Sequence, residues 1–227
     1  MAIIGSKFYS WANKYCPKPI SSINNAVDIA YAVDKAYAPS VHRALWQNGK
    51  HCGFNGMTKE KNQARAQATH IIECYLQYVY NYNLLPYSVT DLWDKVRDVY
   101  YNNRITWYTY GNAQKWVAMS IKYYLVAKYY NTPNNLCNDV LADVVFPVDS
   151  IMINKIKNGK NSLNLKIPFK CNPTKCHQYT NCTTKNSDSW AKCDCKQKFI
   201  DYIDAVKNAL IKFPTQDKLI EFEIDNW

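Results

Sequence analysis

The sequence contains no apolar run of the about 18–20 residues that a membrane-spanning helix requires. The first residues, Met1 to Trp11, also lack an apolar stretch long enough for a signal peptide. No internal repeat of fixed period and no low-complexity linker is present. These absences predict a cytoplasmic, monomeric protein with no membrane partner.

Strand signals are scarce as well, because only 163–169 and 219–224 show a weak or ambiguous strand pattern. Aromatic residues make up 15% of the chain, which argues against disorder. Apolar residues recur at helical spacing behind Ser, Thr or Asp caps. The predicted helices are approximately 21–38, 58–85, 88–100, 113–130, 134–145, 149–156 and 194–210. The predicted fold is a mainly α single domain over 1–227, with its division into two lobes left open and an irregular Lys- and Cys-rich insertion at about 159–193.

Acidic residues are outnumbered by basic ones, 18 against 28, and the net charge is +10. The excess is concentrated in one segment: residues 154–198 hold ten lysines, no arginine and two acids, a net charge of +8. A basic surface of this strength is typical of proteins that bind nucleic acid. We therefore expect a nucleic acid to be the partner, with Lys166 and Lys170 among the contacts.

Cys-x-x-Cys pairs are missing, although the chain has nine cysteines. Five of them cluster near the end of the basic segment, at Cys171, Cys176, Cys182, Cys193 and Cys195. Thiolates in this number can hold a structural zinc ion or an iron–sulfur cluster. Reduced free thiols are the alternative in a cytoplasmic chain, and both interpretations stay open. In neither case does catalysis require a cofactor.

The segment most informative about function runs from Tyr110 to Met119, where a glycine-led turn opens into an apolar helix. Lys115 falls in the first turns of that helix, and Val148-Asp149 follows 34 residues after the lysine, at the predicted start of another helix. Backbone N–H groups at a helix N-terminus can bind phosphate. The predicted DNA-backbone contacts of the turn are Gly111, Asn112, Ala113 and Gln114.

This arrangement resembles the helix-hairpin-helix DNA glycosylases, in which a Gly-x-Gly-x-Lys hairpin precedes a catalytic Val-Asp step. The hairpin here reads Gly111-x-Ala113-x-Lys115, and the spacing to Asp149 is closest to the archaeal 8-oxoguanine glycosylase branch. Ala113 departs from the family pattern, since its Cβ limits how closely a DNA backbone can approach. The resemblance covers about 105–155 by motif and implies a helix-hairpin-helix glycosylase fold.

The activity implied by this resemblance is removal of a damaged or modified base from DNA. The nucleotide must first be flipped out of the duplex, and cleavage of its glycosidic bond develops positive charge on the sugar. The resemblance assigns Lys115 as the nucleophile that attacks C1′, with strand cleavage through a Schiff base, and Asp149 as the electrostatic and acid/base partner. The base is an oxidised purine such as 8-oxoguanine or a virus-type modified base, in repair or in antiviral defence.

Structural interpretations of the same residues remain open: Lys115 as a surface lysine of a first helical turn, and Asp149 as an N-cap only. A non-catalytic DNA-binding protein is another alternative. A third is a ribonuclease, because Arg65-x-x-x-x-His70 resembles the signature of the all-α HEPN ribonucleases.

Aromatic side chains near the hairpin and in a Gly-containing loop are candidates for stacking on a flipped base, although core packing is the commoner role of such residues. The candidate base pocket comprises Trp46, Gln47, Phe54, Trp107 and Trp116.

If the 154–198 segment drives DNA binding, affinity falls steeply with added salt, because each phosphate contact releases counterions. Changing Lys166 and Lys170 to Glu is expected to weaken binding to all DNA sequences similarly, as measured by fluorescence anisotropy across a salt series. A dissociation constant that does not change with salt contradicts the prediction.

Overall fold

The computed structural model describes residues 26–37, 40, 57–129, 133–144, 147–158, 190–210, 219 and 223. These residues form α-helices and two short 3-10 helices, and none of them lies in a strand. The mainly α class predicted from the sequence is therefore confirmed for this part of the chain. The helices are α1 (Ala26–Tyr37), α2 (Thr58–Tyr82), α3 (Val89–Asn102), α4 (Tyr110–Tyr129), α5 (Ser150–Asn158) and α6 (Lys196–Leu210), and the 3-10 helices are Pro133–Asn138 and Trp190–Lys192.

Helix α4 is the centre of the packing, since it contacts α1, α2, α3 and α6. Seventeen of its twenty residues are buried, as expected for a helix that is apolar around most of its circumference. Its core residues, among them Trp116, Val117, Ile121 and Leu125, pack directly against neighbouring helices. Within the described ranges, no helix combines the length and apolarity needed to cross a bilayer.

The surrounding helices follow the sequence pattern closely. Helix α3 begins after Ser88, whose Oγ accepts a hydrogen bond from the Asp91 N–H at 3.1 Å, as the capping sequence predicted. Its buried face carries Leu92, Val96 and Tyr100 at helical spacing. Helix α2 begins near its predicted start, but the prediction that Thr58 caps it is wrong: Thr58 is the first helical residue, and Met57 occupies the N-cap position without a side-chain capping hydrogen bond.

Burial of α4 also encloses its lysines, and each of the three forms an ion pair with a carboxylate from another part of the chain. An unpaired ammonium group in such surroundings is costly, because burial removes its hydration. The pairs are Lys115–Asp149, Lys122–Glu223 and Lys128–Asp139. The partners of Lys128 and Lys122 lie 11 and 101 residues away in sequence, and the partner of Lys115 lies at the start of α5.

Residues 190–194 cover the N-terminus of α4, although they lie about 80 residues later in the sequence. The Asp194 carboxylate accepts the Tyr110 N–H at 3.0 Å and two bonds from the Arg97 guanidinium, at 2.9 and 2.7 Å. The prediction that Asp194 caps the last helix is therefore wrong. The carboxylate instead serves the first N–H of α4, whose positive end favours a negative charge.

Two predicted helix boundaries also need correction. Helix α4 begins at Tyr110 rather than Ala113, because Thr109 caps it: the Thr109 Oγ1 accepts the Asn112 N–H at 3.3 Å. The segment predicted as a helix over 134–145 forms a 3-10 helix over Pro133–Asn138 followed by turns. There the Asp139 side chain accepts the Leu141 N–H, an alternative to α-helical bonding that favours a turn.

Candidate functional site

The structure brings together the two residues that the sequence singled out for catalysis. The Lys115 Nζ lies 2.9 Å from the Asp149 Oδ2. The lysine side chain is 11% exposed and the carboxylate 4%. A charge pair at this distance and depth is only weakly screened by solvent. Both charges therefore act strongly on any group that enters beside them.

Asp149 is held in place by its role at the start of α5. Its Oδ1 accepts the backbone N–H groups of Ile151 and Met152, both at 3.0 Å. The predicted N-cap is thus present, and it uses only one of the two carboxylate oxygens. The other oxygen, Oδ2, faces the Lys115 ammonium group, so capping and ion pairing fix the orientation of the carboxylate together.

Gln114 connects the two halves of the site. Its side-chain amide donates to the Val148 carbonyl at 2.8 Å and accepts the Val148 N–H at 3.2 Å. The same amide nitrogen donates to the Gly111 carbonyl at 3.1 Å. Because Gln114 and Lys115 are adjacent in α4 and Val148 precedes Asp149, these hydrogen bonds help to set the separation of Lys115 and Asp149. The sequence carried no signal for these hydrogen bonds.

Trp190 lies against the lysine on its other side. Its ring centroid is 4.7 Å from the Lys115 Nζ, within the range of a cation–π contact. Trp190 is half-buried, and it opens the short 3-10 helix that covers the α4 N-terminus. The Lys115 ammonium group is therefore held between an anion and an aromatic face.

The glycine of the hairpin motif serves chain packing. A Cβ at Gly111 would overlap with the Trp190 carbonyl oxygen and lie 3.0 Å from its carbonyl carbon. The Gly111 N–H donates to the Cys193 carbonyl at 3.1 Å, and the Thr109 Oγ1 donates to the Ala191 carbonyl at 2.8 Å. Glycine is needed here because the backbone of α4 lies directly against the backbone of Trp190 and Ala191 and leaves no room for a side chain.

The prediction that this turn binds DNA phosphate is corrected by these contacts. All four predicted residues are buried, namely Gly111, Asn112, Ala113 and Gln114. The first N–H groups of the helix donate to acceptors within the chain: Tyr110 to Asp194, Gly111 to Cys193 and Asn112 to Thr109. No N–H group in that first turn is left to face a phosphate.

The structure describes two of the five residues of the candidate base pocket, Trp107 and Trp116. Trp116 is fully buried, and its Nε1 donates to the Val33 carbonyl at 3.1 Å, so it belongs to the core and not to a pocket. Trp107 is half-buried with the Lys61 Nζ 5.7 Å from its ring centroid. The remaining candidates, Trp46, Gln47 and Phe54, lie outside the described residues.

Most of the predicted metal ligands and DNA contacts also lie outside the described residues, namely Cys171, Cys176, Cys182, Lys166 and Lys170. Cys193 is buried and Cys195 is half-buried. Among the described side chains, no group of three or more potential metal ligands converges. The five-cysteine prediction therefore remains a prediction.

Arg65 and His70, the pair that resembles a ribonuclease signature, do not share a site. The Arg65 guanidinium binds the Asp34 carboxylate at 2.6 Å and stacks over the Tyr37 ring, both on α1. His70 lies on a different side of α2, next to Cys74, where it lines an open cavity between α2 and α3. The two side chains thus contact different surroundings within the chain.

A second buried ion pair lies near the first. Lys122 contacts Glu223, and their side chains are 1% and 0% exposed. The sequence offered one signal for it: Lys122 follows Lys115 by seven residues, two helical turns, so both lysines lie on one face of α4. Glu223 could not be found this way, because no local pattern connects it with α4.

The contact at Gly111 predicts the sign of a stability change. Helix propensity alone favours alanine over glycine by roughly 1 kcal/mol. We expect Gly111→Ala to lower the free energy of unfolding by about 1–3 kcal/mol instead, because the new methyl group displaces residues 190–194. Urea denaturation measures the change. A stabilised variant shows that the contact with Trp190 does not constrain the helix.

Comparison of the chain with protein-family models, with curated proteins and with solved structures finds no match. The functional argument therefore depends on the geometry of the site itself.

Proposed function

We propose that the protein is a DNA glycosylase of the helix-hairpin-helix type, with Lys115 as the nucleophile and Asp149 as its electrostatic and acid/base partner. The observation that carries the proposal is the 2.9 Å contact between the Lys115 Nζ and the Asp149 Oδ2. The hairpin motif and the Val-Asp step lie 34 residues apart in sequence, and neither pattern depends on their separation in space. Their convergence at one ion pair supports the function that the pattern implied.

The arrangement of helices is consistent with the same family. Helices α3 and α4 are joined by residues 103–109, and the lysine lies in the second turn of α4. The carboxylate follows at the start of a later helix, where it is also the cap. Family members are expected to use the catalytic aspartate in both of these roles.

The chemistry follows from the pair. Before it can attack, the Lys115 ammonium group must lose a proton, and the Asp149 Oδ2 is within hydrogen-bond reach to accept it. The free amine then forms a bond to C1′ of the flipped nucleotide. The glycosidic bond breaks, and the base leaves with its electron pair and takes up the proton from Asp149. The regenerated carboxylate stabilises positive charge at the sugar.

A purely structural ion pair is the alternative for Lys115 and Asp149. Exposure permits the catalytic role without selecting it, since the accessible fraction of the side chain is 11% for Lys115, 1% for Lys122 and 21% for Lys128. The accessible part of Lys115 lies between a carboxylate and the Trp190 ring. A flipped nucleotide reaching this edge meets an amine, an anion and an aromatic face.

DNA contacts have to come from surfaces other than the covered turn. The segment 154–198, with its net charge of +8, is the strongest source of positive charge in the sequence. Its last residues pack on the N-terminus of α4, beside Lys115. We infer that Lys166 and Lys170 contact the phosphate backbone, and that the substrate is an oxidised purine or a virus-type modified base.

The test uses a panel of duplexes that carry single modified bases, including 8-oxoguanine, assayed for abasic sites and for adducts trapped with borohydride. Lys115→Gln is expected to abolish the adduct, because no amine remains to form a Schiff base. Asp149→Asn retains a capping oxygen but loses the charge, and excision should fall by about 100-fold or more with little loss of DNA affinity. Lys128→Gln is the matched control, since it removes another paired lysine of α4.

Two results contradict the proposal. The first is the absence of abasic product from the whole panel with the unmodified protein. The second is excision at the parental rate by Asp149→Asn. Abasic sites without any adduct would instead indicate a monofunctional glycosylase, with water as the nucleophile and Lys115 as a DNA contact.

A further inference from the structure

The open cavity between α2 and α3 holds a cysteine, a histidine and two charged side chains that the proposed reaction does not use. Its volume is about 490 Å³, within the range of small-molecule sites. The polar side chains that line it are His70 and Cys74 on α2, Tyr87 on the connecting loop, and Lys95, Asp98 and Asn102 on α3. None of them belongs to the Lys115–Asp149 site, so the cavity is a separate place for chemistry.

Helical spacing places Cys74 and His70 together, because they are one turn apart on the same face of α2. The Cys74 Sγ lies 3.6 Å from the His70 Nε2 and 3.8 Å from its Nδ1. Both side chains are exposed. Only the thiolate form of cysteine is a strong nucleophile, and a neighbouring imidazole can take the thiol proton. The pair is therefore a nucleophile with its base, open to a ligand in the cavity.

Helix α3 supplies one cation and one anion to the same cavity. Lys95 and Asp98 are three residues apart, so their side chains share a face of the helix. The Lys95 Nζ lies 5.1 Å from the centroid of the Tyr87 ring. The Asp98 carboxylate is 58% exposed, and its 3.8 Å separation from the Arg97 guanidinium is longer than a hydrogen bond. A ligand with a carboxylate and an ammonium group complements this pair of charges.

The lining of the cavity favours one kind of cysteine chemistry. Apart from Tyr87, the lining residues lie in α2 and α3, where backbone N–H groups bond within the helix. Acyl transfer by cysteine uses such donors to stabilise an oxyanion. Thiol–disulfide exchange needs no oxyanion donors, because the negative charge passes from one sulfur to another. The cavity therefore suits a disulfide better than an ester or an amide.

We propose that Cys74 and His70 form a site of reversible thiol–disulfide exchange with small disulfides that carry amino-acid groups, of the oxidised glutathione type. His70 takes the thiol proton, and the Cys74 thiolate attacks one sulfur of the ligand. The ligand S–S bond breaks as the bond to Cys74 forms, and the departing thiolate takes the proton from His70. Cys74 is thereby oxidised, and half of the ligand leaves as a reduced thiol. Lys95 binds a carboxylate of the ligand and Asp98 an ammonium group.

The first test measures the rate at which the reduced full-length protein reacts with oxidised glutathione at neutral pH. Peptide mass spectrometry then locates the mixed disulfide. We expect it to form on Cys74 about 10-fold or more faster than on N-acetylcysteine, because His70 supplies the thiolate. Cys74→Ser should remove this fast adduct. A rate at Cys74 no higher than that of N-acetylcysteine overturns the proposal.

The role of His70 is tested with His70→Gln, which keeps a polar side chain but provides no base. We expect the rate to fall by about 10-fold at neutral pH. The difference should narrow toward a pH of about 10, where the thiol ionises without help. A merely structural effect of the substitution is expected to be the same at both pH values. A parental rate at neutral pH contradicts the assignment of His70 as the base.

The ligand class is tested with Lys95→Gln and Asp98→Asn against two disulfides. Each variant should slow exchange with oxidised glutathione by about threefold, as expected for exposed charge pairs. Exchange with hydroxyethyl disulfide should not change, because this reagent carries no charge. Lys59→Gln is the matched control, since it removes an exposed lysine at the start of α2.

Equal losses with both disulfides, or no loss with either, overturn the assignment of an amino-acid ligand. None of these measurements requires activity on DNA. Failure of the proposed glycosylase function therefore leaves the exchange site standing, and failure of the exchange site leaves the glycosylase proposal standing.

Discussion

Helix α4 can be buried only because each of its lysines has a carboxylate partner. Desolvation of an ammonium group costs several kcal/mol, and the three carboxylates come from the turn at Asp139, the start of α5 and the last residues of the chain. The pairs therefore tie distant parts of the sequence to one central helix. Of the three lysines, Lys122 is the most deeply enclosed, whereas Lys115 keeps an accessible edge beside its partner. Lys128 is accessible as well, so the first pair is a candidate for chemistry because of its sequence motif and its contact with Trp190.

The hairpin motif predicts both a phosphate-binding turn and a Lys115–Asp149 site. The structure brings Lys115 and Asp149 together, but it covers the turn. Residues 190–194 occupy the N–H groups that were expected to hold phosphate, and Gly111 permits this close contact. The same segment places Trp190 against Lys115. The contacts at this end of α4 thus lie within the chain, and the proposed DNA contacts have to come from other residues.

Local sequence rules predicted the parts of the fold that depend on local interactions. Ser88 and Asp149 were found as caps because a cap acts within three residues of itself. The Lys115–Asp149 contact was predicted through a resemblance, which supplied the long-range information that spacing alone does not contain. The partners of Asp194 and Glu223 could not be predicted, because each is 84 or more residues away in sequence from the group it binds in α4. For the same reason, the sequence predicts a phosphate contact at Gly111, whereas the structure places the Trp190 carbonyl group there.

The most direct test of the central claim is to identify the residue that forms the covalent intermediate. The protein is incubated with an 8-oxoguanine duplex and with the other modified duplexes, reduced with borohydride and digested, and the nucleotide-modified peptide is sequenced by mass spectrometry. The account predicts a single modified amine, the Nζ of Lys115, in the peptide from α4. An adduct on any other lysine contradicts the account, because the reacting amine would then lie away from the Asp149 carboxylate.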